Sequence, residues 1–400
     1  MGKSMTRICA GVQCAFWASY CLAFAFLVAY LTSVGYSASI IGLVLVVMAA
    51  TSILVQPFYG YLADKVFDIR KINATLMTVA AVSVALIPLA AKNLITLFAL
   101  CIVIGASEYG LNGLIDCWTL RLKERHPVNY EVSRAVGSLG YAIAAAVFGW
   151  VFTLLDLRFV FYFHAVFSVA CAVMLLCSEP IPPAAHAMED SGRPKSSLGK
   201  DFARLIRKPS YVLFILCASL AFIGSAASIS YLATLITFRG GTSAHLGYGL
   251  FMQAAAEVPC LILSAWLLKK FNVRFLLLFA FCAYILKFLA PAFAPSVWGV
   301  IAAQGLQGLS FGIFLPAAMK YLDLISPEGL KSTGTTLAVA VYNGAGSILG
   351  NALGGIIADR MGVLWVYLAA GCVAAIAAVI YLISILWEKI KNIQSLSPHP

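Results

Sequence analysis

The sequence predicts an all-α membrane protein of twelve transmembrane helices arranged as two six-helix bundles. Three observations carry that prediction. The 400 residues are 62% hydrophobic and only 11% charged, where a soluble domain carries roughly a quarter charged residues. Apolar runs of about 20 residues, each long enough to cross a bilayer as a helix, recur along almost the whole chain. Two distant stretches also match at one constant offset of 205 residues: QPFYGYLADKVF (56–67) maps onto LILSAWLLKKFN (261–272), and AVFGWVFTLLDLRFVFY (146–162) onto NALGGIIADRMGVLWVY (351–367). The second match aligns Gly149 with Gly354 and Tyr162 with Tyr367.

The spans follow in order. The first (9–31) is too long for a signal-peptide core and no A-x-A-like cleavage site follows it, so it is expected to remain as a membrane helix. The second (38–60) runs into the loop GYLADKVFDIRK. The third (72–91) and fourth (94–119) are joined tightly, and the fourth contains IGASEYGLNGLIDCW. The fifth (132–154) opens on SRAVGSLGYA and the sixth (158–178) carries FYFHAVFS. A polar stretch, 179–210, then brings Pro180, Pro182, Pro183 and Pro194 together with Arg193, Lys195, Lys200, Arg204, Arg207 and Lys208. It reads as a cytoplasmic linker between an N-terminal bundle, 1–178, and a C-terminal bundle, 211–400, which ends in a short cytoplasmic tail. Spans seven to ten lie near 211–237, 246–268, 273–292 and 295–322. The eleventh (333–357) and the turn before it hold Gly334, Gly344, Gly346, Gly350, Gly354 and Gly355, a density that suits sliding helices and ordinary close packing equally. The twelfth lies near 362–387.

Charge sets the orientation. Of the 27 Lys and Arg residues, twenty fall in the tails and loops of one side, four (Lys92, Arg158, Arg239, Arg360) on the other, and three (Arg134, Lys287, Lys320) within spans. By the positive-inside rule both termini are cytoplasmic. The net charge of +11 therefore reports topology, and no nucleic-acid partner is expected. The eleven cysteines sit mostly within spans without a C-x-x-C pair. They read as small buried hydrophobes, and neither disulfides nor a metal site is expected.

An ionised side chain at bilayer depth is costly, so it usually faces a cavity or a partner. Six such residues lie within spans: Glu108, Asp116, Arg134, Glu257, Lys287 and Lys320. On a regular helix Glu108, Asn112 and Asp116 share one face at i, i+4 and i+8. A carboxylate and a guanidinium hold each other's charge while both offer hydrogen bonds to hydroxyl groups, and an aromatic ring covers an apolar sugar face. Asp116 and Arg134 are thus expected to face each other as substrate ligands, the alternative being an ion pair that locks two spans. In span eight, Gln253 and Glu257 share a face near Pro259. Glu257, with Lys287 on the next span as partner, has the make-up of a proton-coupling site, and Glu108 is its rival. His164 reads as a packing histidine rather than a relay.

The loop GYLADKVFDIRK (Gly60–Lys71) resembles the loop signature of the major facilitator superfamily, with Phe67 in place of a glycine and one extra residue before Arg70. In that resemblance Gly60, Asp64, Lys65 and Arg70 belong to a cytoplasmic gate, Gly60 permitting close helix approach and Asp64 resting against the positive end of a neighbouring helix. Within the superfamily the chain is similar to the oligosaccharide–proton symporter (lactose permease) and phenylpropionate-permease-like groups. Asp116, Arg134 and GSLGY (137–141) occupy the places of a sugar-binding acid, an arginine and a G-C-V-G-W stretch, with Tyr141 where a tryptophan stacks on the sugar. QAAAEVP resembles the second group's E-[IV]-P segment. Gln307 and Ser310 stand where relatives place a histidine and a glutamate, so a coupled proton must use another embedded acid.

The resemblance implies alternating access, with the solute site near the membrane midplane, and proton-coupled uptake of a small polar solute such as a sugar or nucleoside. Glu108, Asn112, Asp116, Arg134, Tyr141 and Gln307 would contact the solute. The expected setting is a bacterial cytoplasmic membrane, with solute, protons and lipid as partners, a monomeric chain and no cofactor. Proton-driven export on the same scaffold and a non-transporting sensor stay open. An intramembrane enzyme would need a catalytic constellation, and only His164 among the histidines lies within a span.

Overall fold

A computed structural model describes residues 2–181, 204–327 and 330–394. Pro182, Pro183, Arg193, Pro194, Lys195 and Lys200 of the expected linker lie outside the described residues. Among the described residues there is no strand, as befits a chain whose backbone groups must be satisfied within each membrane segment. In chain order the helices are α1 (Met5–Ser33), α2 (Ala38–Lys65), α3 (Ile69–Ala85), α4 (Leu94–Arg125), α5 (Tyr130–Leu154), α6 (Leu157–Cys177), α7 (Pro209–Ser230), α8 (Ser243–Lys270), α9 (Val273–Phe293), α10 (Val297–Ile325), α11 (Lys331–Met361) and α12 (Val363–Trp387). All but α3 and α11 are long and apolar enough on their own to cross a membrane. The 17 residues of α3 continue after a break at Leu86 as Ile87–Ala90, and α11 is long but diluted by Gly, Ser, Thr and Asn. The all-α membrane architecture expected from composition is the one found.

The internal repeat is visible in backbone detail. Adding 205 to the bounds of α2 gives those of α8. The same shift carries the break at Phe26 in α1 onto the break at Tyr231, after which α7 continues as Leu232–Phe238. It also carries Gly35 (φ 99°) onto Gly240 (φ 75°). Each glycine closes a helix in the left-handed region that a side chain disfavours. The N–H of Gly35 donates to Thr32 O at 3.0 Å and that of Gly240 to Thr237 O at 2.9 Å. Further on, Asp68 caps α3 and Asn272 caps α9, each accepting from the amide two residues ahead at 2.9 Å.

The chain forms two compact units: the described residues of Met1–Arg193 with Ser230–Ala254, and those of Pro194–Ile229 with Ala255–Pro400. In the first, α1 packs along α5 and α6, and α3 along α6. Its core gathers Phe16, Met77, Ile115, Trp118 and Leu175, all buried. The start of α8 joins this unit because two glycines remove the side chains that would hold it off. A Cβ on Gly247 would stand 2.1 Å from Ala145 O, and one on Gly149 2.7 Å from Ser243 O. Tyr231 adds a hydrogen bond from its hydroxyl to Ala38 O at 3.0 Å. In the second unit α9 packs along α12 and α10, around Phe214, Phe281, Tyr284, Phe314 and Tyr381. Large apolar side chains such as Leu54, Ile95 and Ile262 are more than two-thirds exposed, as expected of helix faces that meet hydrocarbon.

Candidate functional site

In the first unit a polar strip runs across α1, α4 and α5. Gln13 Nε2 donates to Asp116 Oδ1 at 2.9 Å and lies 3.4 Å from Thr119 Oγ1. Trp17 Nε1 donates to Gln13 Oε1 at 3.0 Å. The Arg134 guanidinium lies over the Trp17 ring, 4.2 Å from its centroid, and donates from Nη1 to Ser138 Oγ at 3.0 Å. Asp116 and Arg134 do not pair directly, so the alternative of an ion pair that locks the two spans is not what the structure shows. They are linked through Gln13 and Trp17, and Tyr130 lies within electrostatic reach of both. The glycines of GSLGY make this possible: a Cβ on Gly137 would meet Trp17 Cδ1 at 2.7 Å, and one on Gly140 would meet Cys14 Sγ at 2.8 Å. Arg134 and the Trp17 ring are held together by the ring's negative face.

Aromatic residues continue the strip. Trp17, Tyr20 and Phe24 follow one another along α1, with Tyr20 to Tyr109 at 6.0 Å and Phe24 to Tyr109 at 4.7 Å between ring centroids. Tyr20 faces Asn112 and Tyr141, and Tyr141 reaches the Cys21 thiol. Trp17, Tyr20, Asn112, Asp116, Arg134 and Tyr141 are all half-buried. The structure thus brings together four of the expected ligands, Asn112, Asp116, Arg134 and Tyr141. It adds Gln13, Trp17 and Tyr20 from α1, whose one sequence signal is a glutamine four residues before a tryptophan in an apolar span.

Glu108 departs from this strip. A regular α-helix would have put it on the face of Asn112 and Asp116, but Gly105–Tyr109 forms a π-helical turn. The wider turn changes the angular register between Glu108 and the α-helical segment that starts at Leu111. Glu108 is fully buried, with Oε2 2.7 Å from His164 Nε2 of α6, and Ser168 Oγ stands 3.2 Å from the same nitrogen. Gly105 allows the turn to press on α2, since a Cβ there would lie 2.5 Å from Met48 O. A second π turn, Gly308–Gly312 in α10, repeats the feature, and a Cβ on Gly308 would lie 2.3 Å from Ala256 O. Ser107 and Ser310 occupy equivalent places and each donates to a carbonyl four residues back.

At the cytoplasmic ends Asp64 pairs with Arg121 of α4, which also donates to Ala63 O at 2.9 Å. The partner of Asp64 within the first unit is thus a side chain of α4. Lys320 of α10 donates at 2.9 Å to Leu268 O, the carbonyl that the 205-residue shift places on Ala63 O, and its side chain is exposed. Arg70 pairs with Asp68 and donates to Leu176 O and Ser178 O at 3.0 and 2.5 Å, which ties the α2–α3 turn to the end of α6. Lys65 is exposed. A Cβ on Gly60 would meet nothing within 4 Å, so close helix approach is not what that glycine provides here.

In the second unit Lys287 is only 3% exposed. Its Nζ donates to Ser225 Oγ at 3.3 Å and lies 5.5 and 5.4 Å from the ring centroids of Tyr284 and Phe288. Lys287 and half-buried Glu257 lie within electrostatic reach of one another. Gln307 is buried at the start of the second π turn, and its Oε1 has no hydrogen-bond partner. Among the described residues no three His, Cys, Asp or Glu side chains are grouped to hold a metal ion.

The model of the MFS_1 like family matches residues 11–369. The chain is 27% identical over 333 residues to a maltose permease of Geobacillus stearothermophilus, covering 83% of this chain and 82% of that protein. It is 26% identical over 336 residues to YwbF, an uncharacterized transporter of Bacillus subtilis (strain 168), covering 84% and 82%. Among solved structures, the nucleoside transporter NupG superposes with a TM-score of 0.79 at 16% identity, over 95% of this chain and 98% of that one. A D-xylose–proton symporter does so with 0.69 at 14% identity, over 94% and 96%. These two likenesses establish the fold.

Proposed function

The chain belongs to the MFS_1 like family, and from that premise we propose that it is a secondary active transporter that moves a small polar solute, a sugar or nucleoside, by alternating access with proton coupling. The observation that carries this reading is the strip of buried Gln13 and half-buried Asn112, Asp116 and Arg134 beside Trp17, Tyr20 and Tyr141. Acceptors, donors and ring faces on otherwise apolar helices suit a solute rich in hydroxyl groups. The maltose, melibiose and sucrose permeases among its relatives favour a sugar.

Two groups are proposed to couple the proton: Glu257 with Lys287, and Glu108. Gln307 is proposed as a solute contact of the second half, where its unpaired Oε1 would accept a hydroxyl. Asp64, with Gly60, Lys65 and Arg70, is proposed to act at the cytoplasmic gate. The functional division is two six-helix bundles, 1–178 and 211–400, joined by 179–210, in a bacterial cytoplasmic membrane with both termini inside and the chain acting as a monomer. Relatives include a sugar efflux transporter of Dickeya chrysanthemi that matches 54% of the chain, so direction is part of the test. Radiolabelled maltose, melibiose, sucrose and uridine are offered to right-side-out and inverted vesicles under an imposed pH gradient. Accumulation against the solute gradient in right-side-out vesicles supports symport, and accumulation in inverted ones alone means export. Equilibration without accumulation removes proton coupling.

A further inference from the structure

The pair formed by Glu108 and His164 is fully buried and is not part of the polar strip. Both side chains are fully buried, and each leaves a polar atom without a partner, Glu108 Oε1 and His164 Nδ1. Such orphans are rare in native interiors and call for an explanation. The titratable groups that reach Glu108 from its neighbours are a phenol and a thiol. Tyr20 of α1 and Cys171 of α6 lie within electrostatic reach of Glu108, and Ser168 touches the imidazole. α2 and α3 carry Asp64, Lys65, Arg70 and Lys71 only at their cytoplasmic ends, and Asp116 lies two turns further along α4.

We infer that Glu108 and His164 form a buried site for one exchangeable proton, opened when the π turn relaxes and Glu108 swings to the face of Asn112. The inference rests on the proton-coupled reading above and supplies the place where the proton sits in the first unit. With one proton between carboxylate and imidazole the pair carries no net charge. A second proton would leave the pair positive, and loss of the one would leave it negative, in a medium where an uncompensated ion is costly. Exchange therefore requires Glu108 to move.

The π turn provides the movement. Such turns mark functional positions in helices, and absorbing the extra residue rotates side chains by about 100° around the axis. Glu108 then stands four residues before Asn112 on one α-helical face, where the half-buried strip can hydrate it. It carries the shared proton out as a carboxylic acid and leaves neutral His164 beside Ser168, so the buried site stays uncharged. In the strip the carboxyl O–H bond breaks and an O–H bond to water forms, giving hydronium and a carboxylate, so the protein's charge falls by one for each proton released. The second π turn shares the glycine and the serine but carries Gln307 and Phe311 nearby in place of an acid–base pair, so the site belongs to the first unit alone.

The test uses the full chain in lipid and infrared difference spectra between about pH 5 and about pH 9, on either side of the ordinary histidine range. The expected result is a coupled carboxyl and imidazole signal that vanishes in both Glu108→Gln and His164→Gln and persists in Glu257→Gln. A signal that survives in either of the first two overturns the site. If His164→Gln does not reach the membrane, Ser168→Ala replaces it and must shift the midpoint of the signal; an unmoved midpoint overturns the site equally. Proton-driven accumulation of maltose separates this inference from the reading beneath it. Accumulation retained in His164→Gln overturns the inference and leaves symport standing. No accumulation in the wild type removes maltose symport, and the spectra still decide the site.

Discussion

Gln13 donates to Asp116 at 2.9 Å, so a helix with no charged residue in its apolar stretch holds the acid of the polar strip in place. The same amide accepts from Trp17, which in turn lies under Arg134. One glutamine thus sets the position of both charged groups. Gln13→Leu removes a hydrogen bond to a charged group, an effect of about 1.5–3 kcal/mol. Solute affinity is expected to fall about 10- to 100-fold with the protein still reaching the membrane. The concentration dependence of uptake measures it, and an unchanged half-saturation point would remove Gln13 from the site.

The two charged members are expected to behave differently from a structural lock. Asp116→Asn and Arg134→Ala should each abolish transport while membrane abundance stays near that of the wild type. A lock would show the reverse, with abundance falling and residual transport per molecule preserved. Because the two residues do not touch, the double variant Asp116→Asn/Arg134→Ala should rescue neither activity. Recovery in the double variant would mean that a direct pair forms and matters.

The membrane fold was legible because it rests on properties that survive any packing detail: apolar runs of bilayer length, charge asymmetry and a fixed repeat offset. The repeat even reaches Gly35 and Gly240, whose backbone role follows from turn geometry. The polar strip was half legible. Asp116, Arg134, Asn112 and Tyr141 stand out chemically, but Gln13 and Trp17 look like ordinary packing residues until α1 is laid against α5 across Gly137. Glu108 was misplaced for a different reason. A π turn adds no distinctive residue type, so the i, i+4 rule extends straight through Gly105–Tyr109 and puts Glu108 on the wrong face. Arg121 was hidden because nothing in a basic cytoplasmic loop says which of Arg121, Lys123 and Arg125 meets Asp64.

That Asp64–Arg121 contact makes the gate hypothesis sharper than a single substitution could. Asp64→Asn and Arg121→Gln remove the same ion pair from opposite ends, and both should slow turnover by a similar factor with little change in affinity. Asp64 is half-exposed, so solvent screens the pair to about 1 kcal/mol or less, and the expected change in rate is no more than about fivefold. Turnover and half-saturation are read from initial uptake rates. If Asp64→Asn acts and Arg121→Gln does not, the acid works through another partner.

The last prediction concerns Lys287. It is a buried cation whose near neighbours are a hydroxyl at 3.3 Å and two ring faces, and Glu257 supplies an opposing charge within electrostatic reach. Rings and a hydroxyl stabilise a cation partially, but a buried charge stripped of its counter-charge is strongly destabilising. Glu257→Gln should therefore lower thermal stability in detergent, by less than a fully buried pair would because Glu257 is half-buried and screened. Lys287→Met removes the cation and replaces it with an apolar chain of similar length. In the Glu257→Gln background it should restore stability, giving a coupling of about 0.5–3 kcal/mol across the four proteins. The cycle is measured from unfolding midpoints of wild type, both single variants and the double variant. Additive effects would show that Glu257 and Lys287 do not act as a pair, and the proton-coupling role proposed for them would lose its physical basis.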